Sequence, residues 1–468
     1  MAKKFYITTA IDYTNDVIHI GHSYQKILAD ALARYHRLLG EEVFFLTGTD
    51  EHGQKVEKSA KESGLPPKKF VDKIVELNKK EWKSLNISYN RFIRTTDPDH
   101  VKLAQKIYLK SKSKGDIYKA RYEGLYCEGC EGYLSNHDLV NNHCPFHPHL
   151  ELVKLKEENY FFRLSKYQNF LEKLIERNKN FVIPEGKRRE ILSFVKKGLK
   201  DFAVSRPGVS WGIPVPDDPS HTIYVWFDAL INYLTYGIEE KCWPADVHVL
   251  GKDNLRFHAV YWPAMLKSAG YPLPKTILVH DFLSFNGQKI SKSLGNIIRP
   301  SELVKKFGTD AIRYFFLRFG PLRNDVDFSL EKIKEAYNAD LANGLGNLVA
   351  RVAKLCEKVN FFPSYYYDDT YHHSRFKKFH KLMIEYKVNE ALEFIWKKIS
   401  RADKYINDTQ PWLLEGEKLK KILNYLIKEV REIALLLTPF IPEISQKIRQ
   451  QFSGQKVKSQ KPLFPRLC

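Results

Sequence analysis

"FYITTAIDYTNDVIHIGHSYQKILADALARYHRLLGEEVFFLTGTDEHG", residues 5–53, decides the fold. "FYITTA" (5–10) is rich in β-branched and aromatic residues and reads as a strand. "SYQKILADALARYHRLLG" places Ile27, Leu28, Ala31, Leu32, Tyr35 and Leu38 at helical spacing, and Gly40 stands where a C′ glycine ends a helix. "EVFFLTGTDEHG" is a second strand running into a polar turn. Strand, helix and strand make a βαβ unit, which predicts a parallel sheet.

Between the first strand and the helix lie His19 and His22, on either side of Ile20 and Gly21. Three readings fit the pair alone: a metal half-site, two surface histidines, or a phosphate cradle at a helix N-terminus. There, backbone N–H groups and the positive end of the dipole face an anion, and Gly21 would let a ligand approach the backbone. "NGQKISKSLGN" (286–296) tips the balance to the cradle. Lys289 and Lys292, with Gly287, Ser291 and Ser293 around them, form a donor-rich cationic loop after a predicted strand. Together the two elements suit a nucleoside triphosphate.

The same grammar returns beyond residue 220. "TIYVWFDAL", "DVHVLGKD" and "TILVHDFLSF" each end an apolar run in polar residues and are expected to be strands. Ligands of open α/β sheets sit at the carboxyl ends of strands, so Asp50, Asp228, Asp253 and His280 are expected to converge. From about residue 331, three long stretches have amphipathic helical periodicity and predict a C-terminal bundle.

Between the halves, "YCEGCEGYLSNHDLVNNHCPFHPHL" contains Cys127-x2-Cys130 and Cys144-x2-His147. Two short chelating pairs across a loop are a zinc-knuckle signal, and four protein ligands make such a site structural. His143 and His149 compete with His147, which repeats the x2 spacing and is preferred. The alternative is two reduced surface pairs.

The 468 residues suffice for two to four modules, and with 43% apolar residues the chain can bury several cores. The 75 Lys+Arg against 55 Asp+Glu give +20, which suits a polyanionic partner, nucleic acid first, or simply a solvated surface. The six cysteines do not form a secreted disulfide pattern. No signal peptide or membrane-length apolar run is present. The expectation is a cytoplasmic protein with no membrane contact.

"HIGH" (19–22) and "KISKS" (289–293) resemble the two signatures of class I aminoacyl-tRNA synthetases. "FFLTGTDEHGQKVEKSA", "YVWFDALINYLT", "GKDNLRFHAVYWPAML", "FLSFNGQKISKSLGN", "GLGNLVARV" and "QPWLL" resemble, in order along nearly the whole chain, the methionyl-tRNA synthetase family. The resemblance implies an α/β Rossmann-type catalytic domain in two halves, 1–115 and 221–294. A connective insertion with the zinc knuckle would occupy 116–220, a stem-contact segment 295–335, and an all-α anticodon-binding bundle 336–468.

It implies activation of L-methionine by ATP with Mg²⁺, then transfer to initiator and elongator tRNA(Met), with one structural Zn²⁺. His19, His22, Lys289 and Lys292 would be catalytic. Gly21, Asp253 and Ser291 would join them on ATP, with Asp253 on the ribose. Ile11, Tyr13, Asp50, Trp226, Ala229, Tyr233 and His258 would hold methionine, Asp50 pairing with its ammonium. Arg206 would meet an anionic group. Asn347, Arg351 and Trp412 would read the anticodon. His147 stands where many relatives have cysteine, and Asp12 where proline or tyrosine is common. The chain ends just after the bundle, without the appended domain that dimerises some relatives, which predicts a monomer. A leucine, isoleucine or valine enzyme would need a large editing insertion. A cysteine enzyme would scatter its zinc ligands, and a small nucleotidyltransferase would leave the helical bundle unexplained. An RNA-binding paralogue with a dead site would not keep His19, His22, Asp50, Lys289 and Lys292.

Overall fold

The computed structural model describes residues 3–127, 129, 132–134, 139–145, 148–290, 295–359, 361, 371, 374–453 and 456–467. Its centre is a seven-stranded, all-parallel sheet. The strands are β1 (Lys4–Thr9), β2 (Asp12–Tyr13), β3 (Glu42–Asp50), β4 (Arg91–Arg94), β5 (Val182–Ile183), β6 (Val247–Gly251) and β7 (Thr276–His280). They lie in the order β2-β3-β1-β6-β7-β5, with β4 also on β3. Strands β6 and β7 are buried throughout, as expected where helices cover both faces of a parallel sheet.

Helix α1 (Ile20–Leu38) connects β1 to β3. It ends at Leu39 and Gly40, whose φ is +77°, so the expected βαβ unit and its glycine stop are as read. Because β3 and β6 flank β1 on opposite sides, the direction in which strands are added across the sheet reverses there. The crevice outside the carboxyl ends of β1 and β6 is the topological switch point, where α/β sheets bind ligands.

One expected strand is absent. "TIYVWFDAL" splits into the end of a strand, Asp218–Ile223, in a separate three-stranded sheet, and the helix α2 (Val225–Leu230). A short apolar run has no decisive period, and the extended backbone of Tyr224 (ψ 138°) makes the switch.

Within residues 116–220, Ile117–Cys127 pairs antiparallel with Val153–Phe162 in a four-stranded sheet. Val182–Ile183, inside the same stretch, instead joins the central sheet beside β7. After residue 330 the described chain is mostly helical: Leu330–Ala336, Tyr337–Gly346 (a π-helical stretch), α3 (Asn347–Lys358), Lys377–Ile384, Val388–Thr409, Gly416–Leu437 and Pro442–Ser453. Their core is continuous with the face of α1: Leu28, Ala31, Tyr35, Phe316, Ile433 and Phe440 belong to one buried cluster. Among the described residues no helix is long and apolar enough to cross a membrane.

Candidate active site

His19 is the N-cap of α1, and its Nδ1 accepts the Gly21 N–H at 3.1 Å. His22, at the third helical position, accepts the His19 N–H on its own Nδ1 at 3.2 Å. The two rings thus close a capping box, with imidazoles in place of the usual hydroxyl and carboxyl groups. A ring that accepts at Nδ1 carries its hydrogen on Nε2. Burial, then each ring's cationic neighbours, push both groups below the ordinary 6.5, His19 to about 2 and His22 to about 4. Both are therefore neutral: His19 presents an Nε2–H donor, and His22, whose Nδ1 also lies 3.3 Å from His19 O, does so in the tautomer that accepts the His19 N–H.

Gly21 has a nearer constraint than ligand approach. A Cβ there would lie 2.8 Å from His19 Cε1, so the ring packs over the glycine. The same Cβ position is 3.8 Å from Ile290 Cδ1, which brings the start of the lysine loop onto the helix terminus. Lys289 itself is exposed, in a hairpin of Leu283–Phe285 and Gln288–Lys289. Asn286 (φ +50°) and Gly287 (φ +76°) make its two-residue turn, the Asn-Gly preference of tight hairpins. Ser291 and Lys292 lie outside the described residues. Beyond them, Arg299 donates to Ile18 O at 2.5 Å and to Val17 O, and Ile20 N–H donates to Ile298 O at 2.9 Å. These bonds fix the downstream end of the loop to the entry of α1.

The aromatic residues gather on the β6 side. Tyr233 O–H meets His258 Nε2 at 2.7 Å, and His258 Nδ1 donates to Asn254 O at 2.9 Å. Burial takes His258 down to about 4, so it is a neutral acceptor for the tyrosine. Trp226 stacks on Phe257 at 3.6 Å between ring centroids. Ala229 and Asp50 are buried, Ile11 and Tyr13 half-buried. Strand register sets Tyr13 beside Asp50. Asp253 is exposed and folds back over Gly251, whose Cβ would sit 2.7 Å from its Oδ1. The same position is 3.6 Å from His280 Cε1, so these two strand-end residues do converge.

Sequence reading missed a buried hub. Asp228 Oδ2 receives His52 Nδ1 at 2.7 Å, and its Oδ1 receives His100 Nε2 at 2.6 Å. Burial alone would raise this carboxyl, but the two histidines hold it low. The hub ties the turn after Asp50 to α2, which carries Trp226 and Ala229. Its members are 128 and 176 residues apart, and only the polar endings of "TDEH" and "WFD" hinted at it. Arg206 binds an anion of the chain itself, with Nε 3.0 Å from a Glu157 carboxylate oxygen.

Cys127 closes its strand, and Cys144 follows the Val140–His143 bridge; both are buried. Cys130 and His147 lie outside the described residues, and among the described residues no group of three or more His, Cys, Asp or Glu side chains forms a metal cluster. Two buried thiols from the ends of one turn-rich segment fit the donor chemistry of zinc. In the helical region Asn347 is exposed at the start of α3. Arg351, one turn on, contacts Asp403 Oδ1 at 3.0 Å and Asn407 Oδ1 at 2.7 Å. Trp412 is 46% exposed in the turn Pro411–Leu413.

A parallel sheet with a histidine-capped helix and a lysine hairpin at its switch point defines a class I aminoacyl-tRNA synthetase fold. The family "tRNA synthetases class I (M)" matches residues 5–151 and 138–353. The methionine–tRNA ligase of Caldanaerobacter subterraneus is 44% identical over all of this chain and 79% of its own length. That of Thermotoga maritima is 43% identical over 98% of this chain and 77% of its own. The Mycobacterium tuberculosis methionyl-tRNA synthetase in complex with methionyl-adenylate superposes with a TM-score of 0.92 at 36% identity, covering 99% of this chain and 100% of the other. The chain belongs to the methionyl-tRNA synthetase family.

Proposed function

We propose that the crevice between the ends of β1 and β6 is the adenylation site of a methionine–tRNA ligase. In this reaction a carboxylate oxygen of L-methionine attacks the α-phosphorus of ATP. The bond to the bridging oxygen breaks, and diphosphate leaves with the electron pair. A ribose hydroxyl of the 3′-terminal adenosine of tRNA(Met) then attacks the acyl carbon, and AMP leaves. Such chemistry is mainly positioning and stabilisation of charge on phosphate oxygens.

His19 and His22 donate Nε2–H bonds to the ATP phosphates. Neutral donors suit this role, since they stabilise the developing charge without neutralising the nucleophile. Gly21 keeps the His19 ring in place. Lys289, Ser291 and Lys292 close over the triphosphate, and Asp253 takes the ribose. Mg²⁺ accompanies ATP and neutralises part of its charge. Ile11, Tyr13, Trp226, Ala229, Tyr233 and His258 enclose the thioether, a polarizable group that favours aromatic edges. Asp50 pairs with the ammonium.

Cys127, Cys130, Cys144 and His147 would hold one structural Zn²⁺, which stabilises the fold of the insertion. In the helical region an unpaired anticodon base stacks on Trp412, and Asn347 and Arg351 read base edges, as single-stranded loops are recognised. The ligase serves initiator and elongator tRNA(Met) as a monomer.

The observation that carries the reading is the capping box. It occupies both Nδ1 atoms with backbone and leaves both Nε2 atoms at the N-terminus of α1, beside Ile290 of the lysine hairpin. The test is amino-acid-dependent exchange of pyrophosphate into ATP across all twenty amino acids. Methionine should give the strongest exchange, and a stronger signal with another amino acid would overturn the assignment. His22→Ala should slow exchange by about 10²–10³-fold while tRNA binding is kept.

A further inference from the structure

Between the two substrate-binding elements lies an ion pair that the reaction as described does not use. Lys26 follows His22 by one turn of α1. Its Nζ reaches Asp12 Oδ1 at 3.1 Å and Ala10 O at 2.5 Å, and the two side chains are 0% and 2% exposed. Asp12 Oδ2 is buried and has no hydrogen-bond partner among the described residues. The ammonium also lies 5.5 Å from the centroid of the Trp82 ring.

A buried pair of this kind is a poor source of stability. Removing both charges from water costs about what their attraction returns, and an apolar pair of similar volume serves as well or better. Burial pushes the Asp12 carboxyl up to about 6 against the pull of Lys26, and pushes the Lys26 ammonium down. The pair is thus a costly arrangement.

Its placement gives it a task. Ala10 and Asp12 bracket Ile11, and Asp12 adjoins Tyr13, so one ammonium grips the short segment that offers two residues to methionine. The helix bearing that ammonium carries the two phosphate-binding histidines. We infer that the Asp12–Lys26 pair is a positioning pair, which sets the methionine-binding segment against the ATP-binding helix for in-line attack. The inference rests on the functional reading above. Neither side chain touches substrate. The pair acts through Ile11, Tyr13 and His22.

The test is the double variant Asp12→Leu/Lys26→Met, which replaces the pair by apolar groups. Its urea unfolding midpoint should equal or exceed the parent's, whereas kcat for methionine-dependent pyrophosphate exchange should fall about tenfold or more. KM for ATP and for methionine should stay within about threefold, since each half-site is intact and only their alignment is lost. Parental kcat in a stable double variant would overturn the inference, as would a loss of kcat that merely tracks the folded fraction. Should the double variant fail to fold, Asp12→Asn and Asp12→Ala replace it. Asparagine keeps an acceptor for Lys26 and should retain kcat, alanine should lose it, and equal kcat in the two would refute a tether. A parent chain with no methionine-dependent exchange would sink the functional reading and this inference together, whereas parental exchange with an indifferent variant sinks the inference alone.

Discussion

Arg313 lies 2.7 Å from Asp30 of α1, and both side chains are fully buried. The same guanidinium donates to the carbonyls of Phe440 at 2.8 Å, and of Leu85 and Pro439 at 3.2 Å. One cation thus joins α1 to the turn between the helices Gly416–Leu437 and Pro442–Ser453. Removing it leaves Asp30 with less compensation and three carbonyls without a donor. Arg313→Met should therefore lower stability by about 3–5 kcal/mol, measured by urea unfolding. A change below about 1 kcal/mol, the range of surface pairs, would contradict this role.

Three histidines, His248, His258 and His280, are at most 6% exposed. Burial lowers His258 and His280 from 6.5 to about 4, and His248 well below 6.5. They stay neutral in the fold, while the unfolded chain binds their protons below pH 6.5. Their stabilisation is complete above that pH and is lost as pH falls towards 4, at about 1.4 kcal/mol per pH unit for each. Asp12 and Asp310, raised to about 6, work the other way below pH 6 and offset part of the slope. Urea unfolding of His280→Gln between pH 7 and 5 should show a pH slope smaller than the parent's by up to one proton. An unchanged slope would show that His280 titrates normally.

Trp412, 46% exposed in the turn Pro411–Leu413, is the ring proposed above to stack on an anticodon base. Trp412→Ala should cost about 1–3 kcal/mol of tRNA binding, the worth of one stacked base. That appears as a raised KM for tRNA in aminoacylation. Pyrophosphate exchange without tRNA should not change, and its loss would place Trp412 in the adenylation site instead.

For the insertion, elemental analysis of purified protein should give one zinc per chain. Cys144→Ser should lose most of it, because a hydroxyl is a far weaker zinc ligand than a thiolate. Metal-free parent protein would refute the knuckle, and zinc retained in Cys144→Ser would move the site elsewhere.

The βαβ unit was legible because its periods are unambiguous and Gly40 punctuates the helix. Strand β5 was not, since two residues paired 95 positions away (Ile183 with Leu278) carry no local signal. Helix α1 explains another miss. His22, Lys26 and Asp30 form a polar i, i+4 stripe, which helical periodicity assigns to solvent. Here Lys26 and Asp30 are buried, because Asp12 meets the lysine and Arg313 the aspartate. Likewise, the sequence places Lys289 in a loop, whereas it ends a hairpin strand turned by Asn286-Gly287. Of the site, the motif residues were visible at once. The Asp228 hub and the Asp12–Lys26 pair were not, because tertiary partners decide whether a charge is buried.

The core shared by α1 and the C-terminal helices has a consequence for engineering. Ile433 and Phe440 share one buried core with Leu28, Ala31 and Tyr35 of the helix that bears His22. The C-terminal helical region is therefore not a cassette. Excising it would strip one flank of the half that holds the parallel sheet, and transplanting it from a relative would require the α1 surface to be exchanged with it.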